Sequence, residues 1–256
     1  MNQPDHDQDM PLVNHLIELR DRLLKTLLCV LIIFCGLFYF ANDIYSYVSA
    51  PLHQLLPENS TMIATEVASP FLTPFKLTFF LALFAAMPVL LFQFWAFISP
   101  ALYRNERRLA LPILISSILL FYGGMAFAYY VVFPIIFKFF TSVGPSGVTV
   151  MTDISSYLDF VLKLFFAFGL AFEIPIATVI LIITGTISAE SLAQKRPYVV
   201  VFCFVLGMLL TPPDVISQSL LALPMWMLFE VGILFGRLLS KNRDRDAEDR
   251  DEEEDD

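Results

Sequence analysis

A series of long apolar runs separated by short polar segments limits the folds open to this chain of 256 residues. A helical run of about 20 residues matches the hydrocarbon core of a bilayer. Hydrophobic residues make up 57% of the sequence and charged residues 16%, whereas a soluble domain of this length carries far more charge. The sequence therefore predicts an all-α membrane protein.

The direction of the predicted helices follows from the positions of the basic residues. Residues 98–108, between two apolar runs, carry three arginines around Glu106, and short loops rich in Arg and Lys stay in the cytoplasm. Residues 42–74 contain no Lys or Arg and belong on the far side. Of the 16 Lys and Arg residues, 13 are then cytoplasmic, with six transmembrane helices and both termini inside. The predicted spans are about residues 24–41, 75–98, 109–134, 157–183, 197–211 and 215–236.

The fifth predicted span is unusually short. Only thirteen residues separate Pro197 from Thr211, and as a helix they cover about 20 Å of a hydrocarbon core about 30 Å thick. The sixth span contains Pro224, which is expected to kink it. The fifth helix is therefore predicted to leave part of the bilayer uncovered.

The spans form one predicted domain, residues 12–237, between two polar ends. Residues 1–11 are acidic and are expected to be disordered, without the positive region of a cleaved signal peptide. Residues 238–256 are predicted to be a disordered cytoplasmic tail, and the last 16 residues hold ten acids and four bases. The remaining net charge is small, so no nucleic-acid partner is expected.

The sequence contains no phosphate-binding loop, no His, Cys and acid cluster with ligand spacing, and no Ser, His and Asp set at one membrane depth. We therefore predict a protein that is not an enzyme and that needs no metal or cofactor. One acid, Glu173, lies within an apolar span. An ionisable group there is costly and is a functional candidate; the alternative is a structural carboxyl facing other helices.

Two further acids, Glu18 and Glu106, are predicted on the cytoplasmic side. Together they could hold two guanidinium groups, because the planar arginine fork meets a carboxylate with two parallel hydrogen bonds and lysine does not. An apolar segment following two arginines would then enter beside the membrane, as a signal peptide does. The alternative is that these acids are surface partners for Arg20 and Arg107.

Five motifs occur in order along the chain: HLIELRDRL at residues 15–23, SPALY with ERR at 99–108, FEIP at 172–175, KRPY at 195–198 and GMLLTPPD at 207–214. Together they resemble those of the TatC family, the multi-spanning receptor of the twin-arginine protein translocase. The resemblance runs from about residue 12 to residue 237. It is specific because all five motifs occur in the right order, and the acidic tail lies outside it.

The resemblance implies six helices that form a concave, glove-like surface, made shallow by short fifth and sixth helices. It implies that Glu18 and Glu106 bind the twin arginines of the signal peptide, with Arg20 and Phe97 nearby. The other matched positions are Pro51 and Asp214, needed for activity, and Met208, Thr211 and Gln218, where the partner subunits dock. Their structural alternatives are that Pro51 opens a helix, that Asp214 caps one and that Met208 only packs.

The function implied by the resemblance is that of a receptor subunit in the bacterial cytoplasmic (inner) membrane. It would bind the signal peptides of folded proteins and, with TatB-like and TatA-like single-span subunits in an oligomeric complex, direct their export on the proton gradient. Two other classes compete with it. One is a small-solute or ion permease that uses Glu173 as a relay, and the other is a scaffold that only assembles other membrane proteins.

Overall fold

The computed structural model describes residues 9–55, 63–102, 107–142, 152–210 and 215–254. In this part of the chain the elements are helices, which confirms the predicted all-α class. The helices are α1 (Asp9–Leu37), α2 (Ala41–Leu55), α3 (Ser69–Ala85), α4 (Met87–Leu102), α5 (Arg107–Phe127), α6 (Phe133–Ser142), α7 (Ile154–Ala171), α8 (Ile174–Ile183), α9 (Ala189–Gln194), α10 (Arg196–Leu210) and α11 (Val215–Glu254).

Several helical segments of the described chain are long and apolar enough to cross a membrane. Four do so alone, namely Leu16–Ser49, Leu111–Phe140, Ile154–Ile183 and Val215–Ser240, and the pair α3 and α4, bent by 48°, is a fifth candidate. Helix α10 has 15 residues, in agreement with the short fifth span. The implied short sixth helix is not found, because the apolar part of α11 is 26 residues long.

Proline positions explain two breaks that the apolar pattern does not predict. The predicted second span is divided at Ala86 and the fourth at Glu173. In both cases proline is the second residue of the following helix, Pro88 in α4 and Pro175 in α8. Proline has no amide hydrogen to donate and fits the first turn of a helix, so each proline favours a new helix start.

Other prolines lie inside helices. Helix α2 begins at Ala41, ten residues before Pro51, so the alternative expectation that Pro51 opens a helix is wrong. Helix α11 continues through Pro224 without a break. Pro134 is the second residue of α6, as Pro88 and Pro175 are of their helices, and it follows a five-residue π-helical turn, Ala128–Val132, in which the Phe133 amide donates to the Ala128 carbonyl. This wider turn accommodates a proline ring that would collide with the preceding turn of an α-helix.

The chain divides into two compact units, and the first comprises Met1–Ala50 and Ala68–Ile118. Here α1 packs against α3 and α4 around a small buried cluster of Val30, Ala82 and Ala86. These short side chains let the helices approach closely. Most leucines of α1 are exposed, which is the surface that a bilayer covers.

The second unit comprises Pro51–Val67 and Leu119–Asp256. Its helices α8 and α11 approach through Gly232 and Gly236, the small-residue spacing that brings membrane helices into backbone contact. A methyl group added at Gly232 would lie 2.9 Å from the Pro175 Cα atom, and one at Gly236 would collide with Ile182. This contact places the first turn of α8, at Pro175, against α11.

Helix α11 does not end with its apolar part but continues to Glu254. This differs from the disordered tail predicted for residues 238–256. No glycine or proline follows Gly236, and the Leu, Lys, Arg and Glu residues of this segment favour a helix, although Asn242 and its four aspartates do not. The acidic residues 1–8 and 255–256 lie outside the described residues.

Candidate functional site

The Glu18 carboxylate lies one helical turn before Arg22 on α1, and the two side chains form an ion pair. Both Nε and Nη2 of Arg22 donate to the same oxygen, Glu18 Oε1, at 3.0 and 2.6 Å. The side chain of Glu18 is 42% exposed and that of Arg22 is 23% exposed. Arg22 therefore engages one oxygen of a partly desolvated carboxylate and leaves Oε2 outside the pair.

Arg22 also connects α1 to α4. Its Nη1 donates to Gln93 Oε1 at 3.0 Å, and its Nη2 donates to the Ala96 carbonyl at 3.3 Å. Ala96 directly precedes the half-buried Phe97. One guanidinium thus joins the Glu18 carboxylate to the segment of α4 that carries Phe97.

The other residues of the predicted binding surface are arranged differently. Arg20 donates to its neighbour Asp21 through Nε and Nη2, at 3.0 and 2.8 Å, and both side chains are exposed. The alternative that Glu18 is a surface partner of Arg20 is therefore wrong, because the partner of Glu18 is Arg22. Glu106 lies outside the described residues.

Glu173 lies in the turn between α7 and α8, inside the apolar segment Ile154–Ile183. Its amide donates to the Leu170 carbonyl at 3.0 Å, and its carbonyl accepts from the Ala177 amide at 2.9 Å. The carboxyl oxygen Oε1 is buried.

Two of the predicted partner-contact residues are described: Met208 lies near the end of α10 and Gln218 near the start of α11. Gln218 donates from Nε2 to the Phe204 carbonyl at 2.7 Å, and a methyl group at Gly207 would lie 3.1 Å from Gln218 Cγ. Met208 is 50% exposed on α10. Gln218 thus faces α10 rather than solvent, whereas Met208 is open to contact. Thr211 and Asp214 lie outside the described residues.

Sequence reasoning missed a clasp formed by Asp153, which caps α7. Asp153 Oδ1 accepts from the amide and hydroxyl of Thr65, and Oδ2 accepts from the amide and hydroxyl of Ser156, all at 2.9–3.1 Å. The bonds from the Ser156 and Thr65 amides lower the pKa of Asp153 to about 2 from an ordinary 3.8. Two backbone bonds of Ile63 with Thr152 and Ile154 complete the clasp.

The position of Asp153 ahead of α7 signals a helix cap, but no local pattern signals a partner 88 residues away. The role of Arg22 was also missed. The spacing of Glu18 and Arg22 is the (i, i+4) arrangement that forms helix ion pairs, so the pair itself was readable. The contacts of Arg22 with Gln93 and Ala96 were not, because they depend on how α1 packs on α4.

Long apolar helices, a short apolar helix and a charged network at one helix pair define a multi-spanning α-helical membrane protein. In the described part of the chain, no group of three His, Cys or acidic residues could hold a metal ion. The family model described as Sec-independent protein translocase protein (TatC) matches residues 14–224. The chain belongs to the TatC family.

Individual relatives agree with this assignment. The Sec-independent protein translocase protein TatC of Azotobacter chroococcum mcd 1 is 63% identical over 247 residues, 96% of this chain and 97% of that protein. The TatC protein of Escherichia coli strain K12 is 58% identical over 241 residues, 94% of this chain and 93% of that protein. A crystal structure of the twin arginine translocase receptor TatC superposes with a TM-score of 0.79 at 40% identity, covering 88% of this chain and 98% of that one.

Proposed function

We propose that this chain is the receptor subunit of a twin-arginine translocase. It binds the twin-arginine signal peptides of folded proteins and, with partner subunits, directs their export. The observation that carries this proposal is the Glu18 carboxylate, which is held against α4 through Arg22 while its Oε2 takes no part in that ion pair. Membership of the TatC family supports it, since a solved relative is described as a twin arginine translocase receptor.

The chemistry of the proposed site favours arginine over lysine. A charged hydrogen bond at a partly desolvated carboxylate such as Glu18 contributes roughly 1.5–3 kcal/mol, against about 0–1 kcal/mol for an exposed ion pair. A guanidinium donates two parallel hydrogen bonds to a carboxylate, whereas an ammonium acts as a point charge. Glu18 and Glu106 would each receive one arginine, with Arg20 and Phe97 in the same surface.

The proposed topology has six spans, both termini in the cytoplasm and a concave, glove-like shape in the bacterial inner membrane. The distribution of Lys and Arg supports this orientation. The short α10 supports a shallow region, since its 15 residues cover about 22 Å. Residues 12–237 form the membrane domain, and the segments before and after it extend into the cytoplasm.

TatB-like and TatA-like single-span subunits are the proposed partners, in an oligomeric complex driven by the proton gradient. Exposed Met208 supports docking along α10, and the bond from Gln218 to Phe204 holds the start of α11 against α10. Thr211, Pro51 and Asp214 are proposed functional positions of the same outer side. The chain acts without enzymatic chemistry, metal or cofactor of its own.

Glu173 is proposed to attract water or polar partner groups where the helices are interrupted. Its position at the break between α7 and α8 supports this role. The expected result for Glu173→Ala is slower export with unchanged crosslinking of signal peptide. Export at the wild-type rate would show that the carboxyl has only a structural role.

The test of signal recognition is crosslinking in membranes to a peptide with paired arginines before an apolar run, compared with paired lysines. We expect a strong preference for arginine, which Glu18→Gln and Glu106→Gln each abolish. Glu190→Gln, an exposed acid on α9, serves as the matched control and should keep the preference. Equal crosslinking of both peptides in every variant would contradict the receptor proposal. The alternative would then be a permease, which a measurement of solute uptake into vesicles would test.

A further inference from the structure

We infer that Arg22 is a resident guanidinium that occupies the recognition carboxylate of the unliganded receptor and must release it when a signal arginine binds. This makes Arg22 a specificity-determining residue. The inference rests on the proposed function, because it assumes that Glu18 receives a signal-peptide arginine. It assigns a competitor for that carboxylate within the chain itself.

The first observation is how Arg22 binds Glu18. Its Nε and Nη2 both donate to Oε1, at 3.0 and 2.6 Å. Full recognition of a carboxylate by a guanidinium uses both oxygens in parallel. An incoming arginine therefore meets a carboxylate whose Oε1 is already taken, and it forms the two-oxygen contact after Arg22 has withdrawn.

The second observation is that Arg22 has acceptors elsewhere. Its Nη1 donates to Gln93 Oε1 at 3.0 Å and its Nη2 to the Ala96 carbonyl at 3.3 Å, both on α4. A guanidinium carries five N–H donors, so these two bonds persist when the bonds to Glu18 break. Withdrawal therefore does not leave a half-buried charge without partners, and the link between α1 and α4 is retained.

The exchange acts as a filter on the ligand. A ligand displaces Arg22 only if it replaces the two N–H bonds that Glu18 loses. Arginine supplies two donors in one plane, whereas the ammonium of lysine is a compact point charge that keeps its hydration more strongly. Competition with Arg22 thus penalises lysine more than arginine.

The test measures the affinity of full-length protein in lipid nanodiscs for the paired-arginine and paired-lysine peptides, by fluorescence anisotropy. For Arg22→Gln we expect tighter binding of the lysine peptide, on the order of tenfold, the factor of one charged hydrogen bond. The affinity for the arginine peptide changes less, so the preference for arginine falls. Arg22→Lys is expected between wild type and Arg22→Gln. Arg237→Gln removes an exposed arginine from α11 and should leave both affinities unchanged.

A second variant keeps Arg22 and instead changes one of its hydrogen-bond partners on α4. Arg22 bonds Gln93 both before and after its release, but in Gln93→Leu a released Arg22 keeps only the 3.3 Å bond to the Ala96 carbonyl. Release then leaves a half-buried charge poorly partnered, so Arg22 stays on Glu18 more firmly. Binding of the lysine peptide should fall more than binding of the arginine peptide, and the preference for arginine should rise. The two variants thus move the preference in opposite directions, which a purely structural link between α1 and α4 does not predict. The Gln93→Leu measurement also tests the inference if Arg22→Gln fails to fold.

The outcomes separate this inference from the proposed function. If wild type shows no preference for arginine, or Glu18→Gln does not change it, the receptor proposal fails. If wild type prefers arginine and Glu18→Gln abolishes the preference, the receptor proposal stands. If Arg22→Gln and Gln93→Leu then each lower the affinity for both peptides by the same factor, Arg22 only maintains the shape of the site and the inference is overturned.

Discussion

The Arg196 guanidinium and the Glu230 carboxylate meet as two parallel forks, with Nε 2.6 Å from Oε1 and Nη2 2.7 Å from Oε2. Arg196 is the first residue of α10, and Glu230 lies in α11. This two-oxygen contact differs from that of Arg22, which uses one oxygen of Glu18. The fork fixes the beginning of the short α10 on its neighbour.

We predict that Arg196→Lys keeps the charge but weakens this attachment. The side chains of Arg196 and Glu230 are 46% and 27% exposed, so the expected loss of unfolding free energy is about 1 kcal/mol. Thermal unfolding in detergent measures the loss. A double-mutant cycle with Glu230→Gln should give a coupling energy of similar size, and additive effects of the two substitutions would contradict the prediction.

Adjacent glycines on α5 provide a matched pair for helix packing. A methyl group at Gly124 would collide with the Phe168 carbonyl oxygen on α7, whereas one at Gly123 meets nothing within 4 Å. Because a backbone carbonyl cannot turn aside, Gly124→Ala should cost about 1–3 kcal/mol of stability. Gly123→Ala should be neutral or stabilising by up to about 1 kcal/mol, through helix propensity. Equal unfolding temperatures for the two variants would rule out this packing argument.

The Asp153 clasp should weaken in acid. The pKa of Asp153 is about 2 in the folded protein against an ordinary 3.8, so its contribution is full above about pH 4 and is lost as the pH falls toward 2. Amide hydrogen exchange at Ile63 and Ile154, corrected for the intrinsic pH dependence, should accelerate over that window. In Asp153→Ala the exchange should already be fast at pH 6. Glu66→Ala, an exposed acid before α3, is the control and should retain the wild-type profile.

Deletion of residues 242–256 should leave export at the wild-type rate. The removed residues are charged except for Asn242 and Ala247, and their sequence offers no apolar stripe for packing. A longer deletion, after Leu228, also removes Gly232 and Gly236, which contact α8, and should lose stable protein. Export assays and membrane levels of the two truncations distinguish these outcomes, and a loss of export from the shorter deletion would assign the tail a role.

The sequence was sufficient for the helical class, for the apolar segments and for the short α10, because these depend on hydrophobicity and length along the chain. It was insufficient at Ala86 and Glu173, where the apolar pattern continues while the backbone starts a new helix. The same residue type had different outcomes, since Pro88 and Pro175 follow breaks whereas Pro224 lies within α11. Whether a helix absorbs a proline depends on its neighbours, which a local pattern does not contain.

The candidate site shows the same limit. Glu18 was readable as an acid on a polar helix face, and its spacing from Arg22 was readable as an ion pair. What could not be read is that Arg22 uses a single oxygen of Glu18 and bonds Gln93 and Ala96 on α4. Those contacts depend on the packing of two helices and on rotamers, neither of which hydrophobic periodicity determines.

The π-helical turn at Ala128–Val132 resets the rotational phase of the helix that follows it. Each residue of an α-helix advances the side-chain direction by about 100°, so the extra residue in this turn determines which side of α6 faces inward. Phe133 and Ile136 are fully buried on that side, and the Phe133 ring lies 5.8 Å from that of Tyr157. Deleting a single residue such as Tyr130 would rotate this buried side away from α7, so relatives of this chain should tolerate substitutions here far better than a change of length.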